Sequence, residues 1–309
     1  MDINRSEMVH VCRLYYEKNM TQQQIASEMN ISRMKVSRLL QKARDEGIVR
    51  ITIDYSGIYP ELEERIADKY TLKKVMVIES SSEAGAKEEV ASGAANYLVN
   101  RLREGMTIAV GWGTTLKLVP DKIAMSREIN VLFVPMIGGH GQSELDSHAS
   151  SIAADFAKKM GGHAYSLIAP AFVANAEERR IFLQNEQVQQ VLGEAQHADC
   201  AVFSLGNPLA EGNSIGKSGY ISQKDWEELK GENAICDVIS TVFLNGEGEE
   251  CCKDITDRCI ALHGDELKRI PEKICIVQGK EKAKAVSVAL KSGFIDVLVI
   301  DKEIAENLV

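Results

Sequence analysis

The sequence predicts an α/β chain in two parts: a small, basic, helical N-terminal unit and a larger domain built on a parallel sheet. Three observations predict it. Residues 21–44 read as two short helices around a sharp turn, the second strongly basic. From residue 72 onward, short apolar runs alternate with helical patterns. Charge is divided unevenly: residues 1–56 hold nine Lys and Arg against seven Asp and Glu, the remainder 27 against 38. With 309 residues, the chain is also too long for one small module.

The elements follow in order. Residues 5–17 are predicted as a first helix, with Met8, Val9, Cys12 and Leu14 toward the core. Thr21 and Gln24 have the spacing of a capping box, which satisfies free N–H groups at a helix start. Ile25, Ala26 and Met29 give the second helix its apolar face. Asn30 marks the turn, because Asn tolerates the left-handed conformation; Gly is the residue usual there. Ser32 is a good N-cap for the third helix. Val36, Leu39 and Leu40 fall three and four apart and form its buried stripe.

Arg33, Lys35, Arg38, Lys42 and Arg44 stand away from most of that stripe, and no acid lies between 32 and 44. A charge run of this kind alone is equally a solvated helix face. Ala26, Asn30 and Val36, however, sit where two crossed helices touch, so a helix-turn-helix with an exposed basic helix is expected. Such a helix fits the major groove of double-stranded operator DNA, where Lys and Arg neutralise phosphates and Arg pairs with guanine. The candidate DNA contacts are Thr21, Gln22, Ser32, Arg33, Lys35, Ser37, Arg38 and Lys42. Gly47 ends the helix. Ile48 to Ile53 alternates like a wing strand, which makes residues 1–56 a winged helix-turn-helix. Residues 54–60 carry turn signals and read as a hinge, and 61–70 as a short amphipathic helix.

Residues 57–309 are predicted as a Rossmann-like domain. Strands are expected at 75–78, 107–111, 131–135, 165–169, 200–206, 273–279 and 296–300. Helices are expected at 86–103, 114–124, 147–160, 175–196, 222–229 and 280–292. Continuous apolar strands between helices indicate a parallel sheet covered on both faces. Its binding site belongs at the C-terminal strand ends.

Four loops carry possible chemistry. In VGWGTTLKLV, 110–119, Gly111 and Gly113 admit an anion close to the backbone, and Thr114 and Thr115 add hydroxyls at a helix start. The Gly-Lys-Ser/Thr ending of a Walker loop is absent, and a plain tight turn is an equal reading. In MIGGHGQ, 136–142, Gly138 and Gly139 make a backbone-rich loop. His140 there is a candidate base, but more simply a surface or hydrogen-bonded histidine. Lys282 follows another strand and is placed to counter a phosphate; Lys280 and Lys284 read as solvated. Asp237 is an acid in an apolar run and needs a partner, either a sugar hydroxyl or a backbone N–H. Residues 217–220 are a candidate lid.

Composition sets limits. Of the net charge of −9, the remainder after residue 56 carries −11 (27 basic against 38 acidic residues), so the larger domain is expected to be repelled by DNA and to have another task. The polar start after Met1 and the absence of a long apolar run point to a cytoplasmic protein without membrane contact. Seven cysteines, an odd number, do not form a disulfide framework. Cys251, Cys252, Cys259 and His263 match no paired-ligand spacing, so no metal is expected there.

Nearly the whole chain resembles the SorC family of bacterial sugar-responsive transcriptional regulators. The residues that carry this are MTQQQIASEMNISRMKVSRLLQKARDEGIVRITI, GWGTTL, the glycine pair at 138–139, APAF at 169–172, SGYIS at 218–222 and GKEKAKAVSVALKSGFIDVLVID. The resemblance implies an effector domain similar to the glucosamine-6-phosphate deaminase and ribose-5-phosphate isomerase superfamily, binding a phosphorylated sugar. It implies that Gly113, Thr114 and Thr115 hold phosphate, that Lys282 pairs with it, and that Asp237 meets sugar hydroxyls. Cys236 stands where the family often has Gly, and 239–250 departs from the usual run. A homo-oligomer, dimer or tetramer, is implied, acting as a repressor, with no cofactor and no catalysis. The alternative is a sugar-phosphate isomerase or deaminase with an appended DNA-binding segment, which needs a poised acid/base pair; only His140 and Asp237 are candidates.

Overall fold

The computed structural model describes residues 5–49, 51, 58–80, 85–124, 128–141 and 147–309. The chain divides into two compact units, 1–53 and 54–309.

In the first unit, α1 (Arg5–Cys12) runs into a π-helical turn at Arg13–Glu17, followed by α2 (Gln22–Glu28) and α3 (Arg33–Asp45). The capping box forms: Thr21 Oγ1 accepts the Gln24 N–H, and the Gln24 side chain accepts the Thr21 N–H. Asn30 has φ +53°, and the Ile31 N–H reaches back to the Ala26 carbonyl at 3.0 Å, so the chain reverses in three residues. Ser32 caps α3 by accepting the Lys35 N–H. Met8, Val11, Ile25, Ala26, Val36, Leu39, Leu40 and Ala43 pack as one core. Val9, expected inside, is 39% exposed, and Val11 takes its place because the apolar stripe of α1 runs 8, 11, 12. Of the expected wing, Ile48 and Val49 lie in a turn and Ile51 is not in a strand. Arg50, Thr52 and Ile53 lie outside the described residues, as do 54–57 of the hinge.

The second unit is built on a seven-stranded parallel sheet. Its strands are β1 (Lys74–Ile78), β2 (Thr107–Val110), β3 (Leu132–Pro135), β4 (His163–Ala164), β5 (Cys200–Phe203), β10 (Lys273–Val277) and β11 (Val297–Asp301), in the order β1-β11-β10-β5-β2-β3-β4. A four-stranded antiparallel sheet, β6 (Leu205–Gly206), β7 (Cys236–Val238), β8 (Val242–Leu244) and β9 (Glu250–Cys251), hangs from the end of β5. Helices α5 (Ala86–Arg101), α6 (Val119–Lys122) and α7 (Ala149–Met160) cover one face of the large sheet. The other face is covered by α4 (Pro60–Tyr70), α9 (Glu186–Gln196), α14 (Ala283–Lys291), α15 (Lys302–Glu306) and the small sheet. Shorter helices α8 (Ala176–Phe182), α10 (Ser214–Lys217), α11 (Gln223–Gly231), α12 (Lys253–Thr256) and α13 (Gly264–Arg269) complete the unit.

Four sequence expectations change. The strand at 165–169 is instead the two-residue edge strand β4, after which the chain is irregular. The strand at 200–206 breaks at Ser204, where the chain leaves one sheet for the other. The helix at 175–196 is two helices, because Asn185 starts a new one by accepting the Gln187 and Val188 N–H groups. The helix at 114–124 shrinks to a 3₁₀ turn, Leu116–Leu118, and the four residues of α6.

Asn30 tests the turn without touching the core, since its side chain is exposed. Asn30→Val should destabilise the N-terminal unit by about 1–2 kcal/mol, the usual cost of a left-handed non-glycine residue. Asn30→Gly should not. Thermal unfolding followed by circular dichroism would show the difference; equal midpoints for the two variants would contradict this account.

Candidate functional site

Strand order reverses between β2 and β5: from β2 the chain lays down β3 and β4 on one side, then returns to place β5 on the other. A cleft of ≈ 270 Å³ opens at the C-terminal ends of these strands, as the rule for open α/β sheets requires. Gly113, Thr114 and Thr115 line it from β2, Ser204 from β5, Lys282 from β10 and Asp237 from β7. Lys87 and Lys217 stand at its rim, and the loop 206–214 closes one side.

Gly111, Gly138 and Gly139 do not line it. Gly111 lies against β5, where a Cβ would meet Phe203 Cβ at 2.8 Å. Gly138 packs on the 169–170 backbone, where a Cβ would meet the Pro170 carbonyl oxygen at 2.5 Å. The Gly139 N–H donates to Ala169, and its carbonyl accepts from Ala171. Gly111 and Gly138 serve close packing, whereas a Cβ on Gly139 would meet nothing nearer than His148 Nδ1 at 3.6 Å. Gly113 has φ +133° and spends its own N–H on Ser147.

The cleft is equipped for an anion and for hydroxyls. Thr115 is buried, and its Oγ1 has no hydrogen-bond partner among the described residues. The N–H groups of Thr114 and Thr115 have no backbone partner among the described residues. With only a 3₁₀ turn and α6 behind them, the helix dipole adds little; the donors themselves carry the site. Burial lowers the Lys282 ammonium from its ordinary value, with Lys87 nearby acting the same way. Asp237 is buried and pushed up to about 7 by desolvation, against the pull of its bonds from Ser240. The Ser240 N–H donates to Asp237 Oδ1 at 2.6 Å, and Ile239 and Ser240 both have positive φ.

His140 is not at the surface. It is fully buried, stacked on Trp112 at 3.8 Å and ringed by His148, Phe172 and Tyr220. Neither ring nitrogen has a partner among the described residues, and burial, with His148 second, pushes it down to about 3. It does not line the cleft, so it is no base for a ligand there. Cys259 gives its thiol to the Ser240 carbonyl, and His263 lies against Arg179, both apart from Cys251 and Cys252.

On the first unit, Ser32, Arg33, Ser37 and Arg38 are exposed on α3. Thr21, Gln22 and Arg33 share an open groove with Tyr16 and Asn19. Lys35 is ion-paired to Glu7 at 2.6 Å, and Lys42 to Glu46 at 3.4 Å, so both are less free than the sequence implies. Sequence reading missed Met34, 71% exposed between Arg33 and Lys35. It also missed the loop after β6; the Gly, Asn and Pro density of GNPLAEGNS was the available signal.

Residues 59–309 match the family model described as "Putative sugar-binding domain", and residues 9–46 match that of sigma-70, region 4. The deoxyribonucleoside regulator of Bacillus subtilis is 28% identical, covering 100% of this chain and 99% of that protein. The sorbitol operon regulator of Klebsiella pneumoniae is 29% identical, over 97% and 96%. The crystal structure of that full-length regulator superposes with a TM-score of 0.84 at 26% identity, covering 100% of this chain and 99% of the other. These relatives are regulators, not enzymes. No helix among the described residues is long and apolar enough to cross a membrane.

Asp237 yields a pH signature. Its folded value, about 7, lies above the roughly 3.9 of an unfolded Asp, so its contribution to stability is full below pH 4 and is lost as pH rises through 7. His140 acts in the opposite sense, its contribution being lost as pH falls below about 6.5. Asp237→Asn keeps His140 and stays neutral. It should therefore gain on the parent by a few kcal/mol between pH 4 and 7 and no further above that. Denaturant melts at several pH values measure it, and a constant difference would refute the burial argument.

Proposed function

The chain belongs to the SorC family of sugar-binding transcriptional regulators, and on that premise we propose that it is a cytoplasmic repressor of a sugar-catabolism operon. A phosphorylated sugar sets its affinity for operator DNA. The observation that carries this reading is the cleft. The buried Thr115 hydroxyl and the Thr114 and Thr115 N–H groups, the hydroxyl unpartnered and the N–H groups without a backbone partner among the described residues, supply donors for a dianion together with Lys282. Asp237 supplies an acceptor for sugar hydroxyls. A ligand with phosphate at one end and hydroxyls at the other satisfies both sets, and no cofactor is needed. On this reading the effector domain, 57–309, is related to the glucosamine-6-phosphate deaminase and ribose-5-phosphate isomerase superfamily, and keeps its cleft without its catalysis.

DNA contact is assigned to residues 1–56. Ser32, Arg33, Ser37, Arg38 and Met34 occupy the outer face of α3, with Thr21 and Gln22 at the start of α2 placed for backbone phosphates. Arg33 and Arg38 are the readers of bases, and Met34 suits a thymine methyl. One short helix per half-site calls for two-fold symmetry and so for a dimer or tetramer. The segment 54–60 is the route by which ligand alters the spacing of two such helices.

Two experiments test this. Arg33→Ala and Arg38→Ala should each cost about 1–3 kcal/mol in affinity for the promoter DNA of the regulated operon at fixed salt. Lys35→Ala should cost less, because Glu7 already holds that ammonium. Unchanged affinity in both arginine variants would remove α3 from the groove. For the effector, a panel of sugar phosphates should include one that changes DNA affinity roughly 5- to 150-fold, a coupling of about 1–3 kcal/mol. Thr115→Glu, which sets a negative charge where phosphate docks, should abolish that response and leave DNA binding intact. A normal response in this variant would place the phosphate elsewhere.

A further inference from the structure

We propose that Cys251, Cys252 and Glu232 form a binding site for one divalent cation of borderline softness, with zinc the fitting case. The two sulfurs and a carboxylate oxygen of Glu232 lie within 4.8 Å of one another. The sulfurs are 3.7 Å apart. That separation is the edge of a tetrahedral zinc–thiolate site: Zn–S bonds of about 2.3 Å at the tetrahedral angle put two sulfurs about 3.8 Å apart. A disulfide would require them to close to about 2.05 Å. The reduced pair thus already has the spacing a chelate needs.

Neighbouring cysteines in a regular strand would point to opposite faces of the sheet. Here Cys252 has φ +58°, in the left-handed region, and this kink between β9 and α12 brings its side chain round beside that of Cys251. The Cys252 N–H donates to Glu232 Oε2 at 2.6 Å and fixes the carboxylate against the thiols. Glu232 caps the end of α11, and Glu228 lies one turn earlier on the same face. Glu228 Oε1 accepts the Asp254 N–H at 3.1 Å, whereas its Oε2 is buried without a partner among the described residues. Both carboxylates bear on both thiols. Only Cys252 is buried; Glu228 and Cys251 are half-buried and Glu232 is exposed, so a cation can reach the group from solvent.

Two sulfurs with carboxylate oxygen select zinc over the harder magnesium and calcium. On binding, each thiol gives its proton to solvent and both electron pairs go to the metal, so two protons leave per cation and nothing is oxidised. Cys251 is half-exposed and gives the ion its entry. The bound cation would join α11 to the outer strand of the sheet that carries Asp237. This site stands independently of the effector reading.

The test uses the full chain, reduced and stripped with a chelator, then titrated with Co²⁺. One equivalent should produce a thiolate-to-cobalt charge-transfer band in the near ultraviolet, bleached by one equivalent of Zn²⁺. Cys251→Ser and the exposed Glu232→Gln should each weaken Zn²⁺ binding at least tenfold, and Cys12→Ser, in the other unit, should leave it unchanged. Absence of the band in the parent protein would overturn the proposal. So would Zn²⁺ binding that survives Cys251→Ser, or a mass two units lower showing that the thiols pair under the same reducing conditions.

Discussion

The reversal of strand order beside β2 is the constraint on which the effector domain depends. A parallel sheet needs crossovers, and crossovers that leave in opposite directions cannot fill the crevice between them. The loops after β2 and β5 therefore diverge and leave a cleft that no side chain of the core occupies. Close packing around it is then obligatory. Gly111 must lie on Phe203 for β2 and β5 to stay paired up to the cleft's edge. β5 itself ends at Phe203, so the next residues can enter the small sheet and bring Asp237 across to face Thr115.

Charge divides labour between the units. Residues 57–309 carry 38 acidic against 27 basic residues, whereas α3 presents Arg33 and Arg38 with no acid beside them in sequence. Within the acidic domain, Lys87, Lys217 and Lys282 line one cleft, together with Glu211, Asp237 and Glu281. A ligand drawn there changes DNA affinity only through unequal affinity for two arrangements of the protein. The small sheet, which carries Asp237, borders the cleft, and its first strand, β6, follows the end of β5 after one residue.

Patterns with a strong local cause were legible in the sequence. The capping box at Thr21, the left-handed Asn30 and the stripe of Val36, Leu39 and Leu40 all formed as the sequence implied, since each depends on neighbours within one or two turns. Six strands of the large sheet were legible because they read as largely unbroken, buried apolar runs, unlike the edge strand β4, His163–Ala164, which is short and only partly buried. The small sheet was not. Its strands are two or three residues long, too short for a period-two signal, and it exists only because β5 delivers the chain there. Site residues divided likewise. Gly113, Thr114, Thr115, Asp237 and Lys282 converge on the cleft, but Gly138 and Gly139 are spent on the 169–170 backbone. No local pattern separates a glycine needed by a ligand from one needed by a neighbouring strand. His140 misled in the same way, because its burial under Trp112 is a tertiary fact.

Asp237 is the residue whose energetics the fold alone does not explain. A buried carboxylate is tolerated when donors surround it, yet here the donors among the described residues are a single N–H and a hydroxyl at 3.4 Å, both from Ser240. Holding even these requires Ile239 and Ser240 at positive φ, a conformation that a β-branched residue adopts at a cost. An apolar residue at 237 would remove the desolvation and relax the turn. The arrangement is intelligible once a ligand hydroxyl completes the set: it would favour the charged carboxylate and recover the cost of burial at the moment of binding. Backbone strain and an under-satisfied acid at the same cleft wall are what the proposed contact of Asp237 with a ligand hydroxyl would account for.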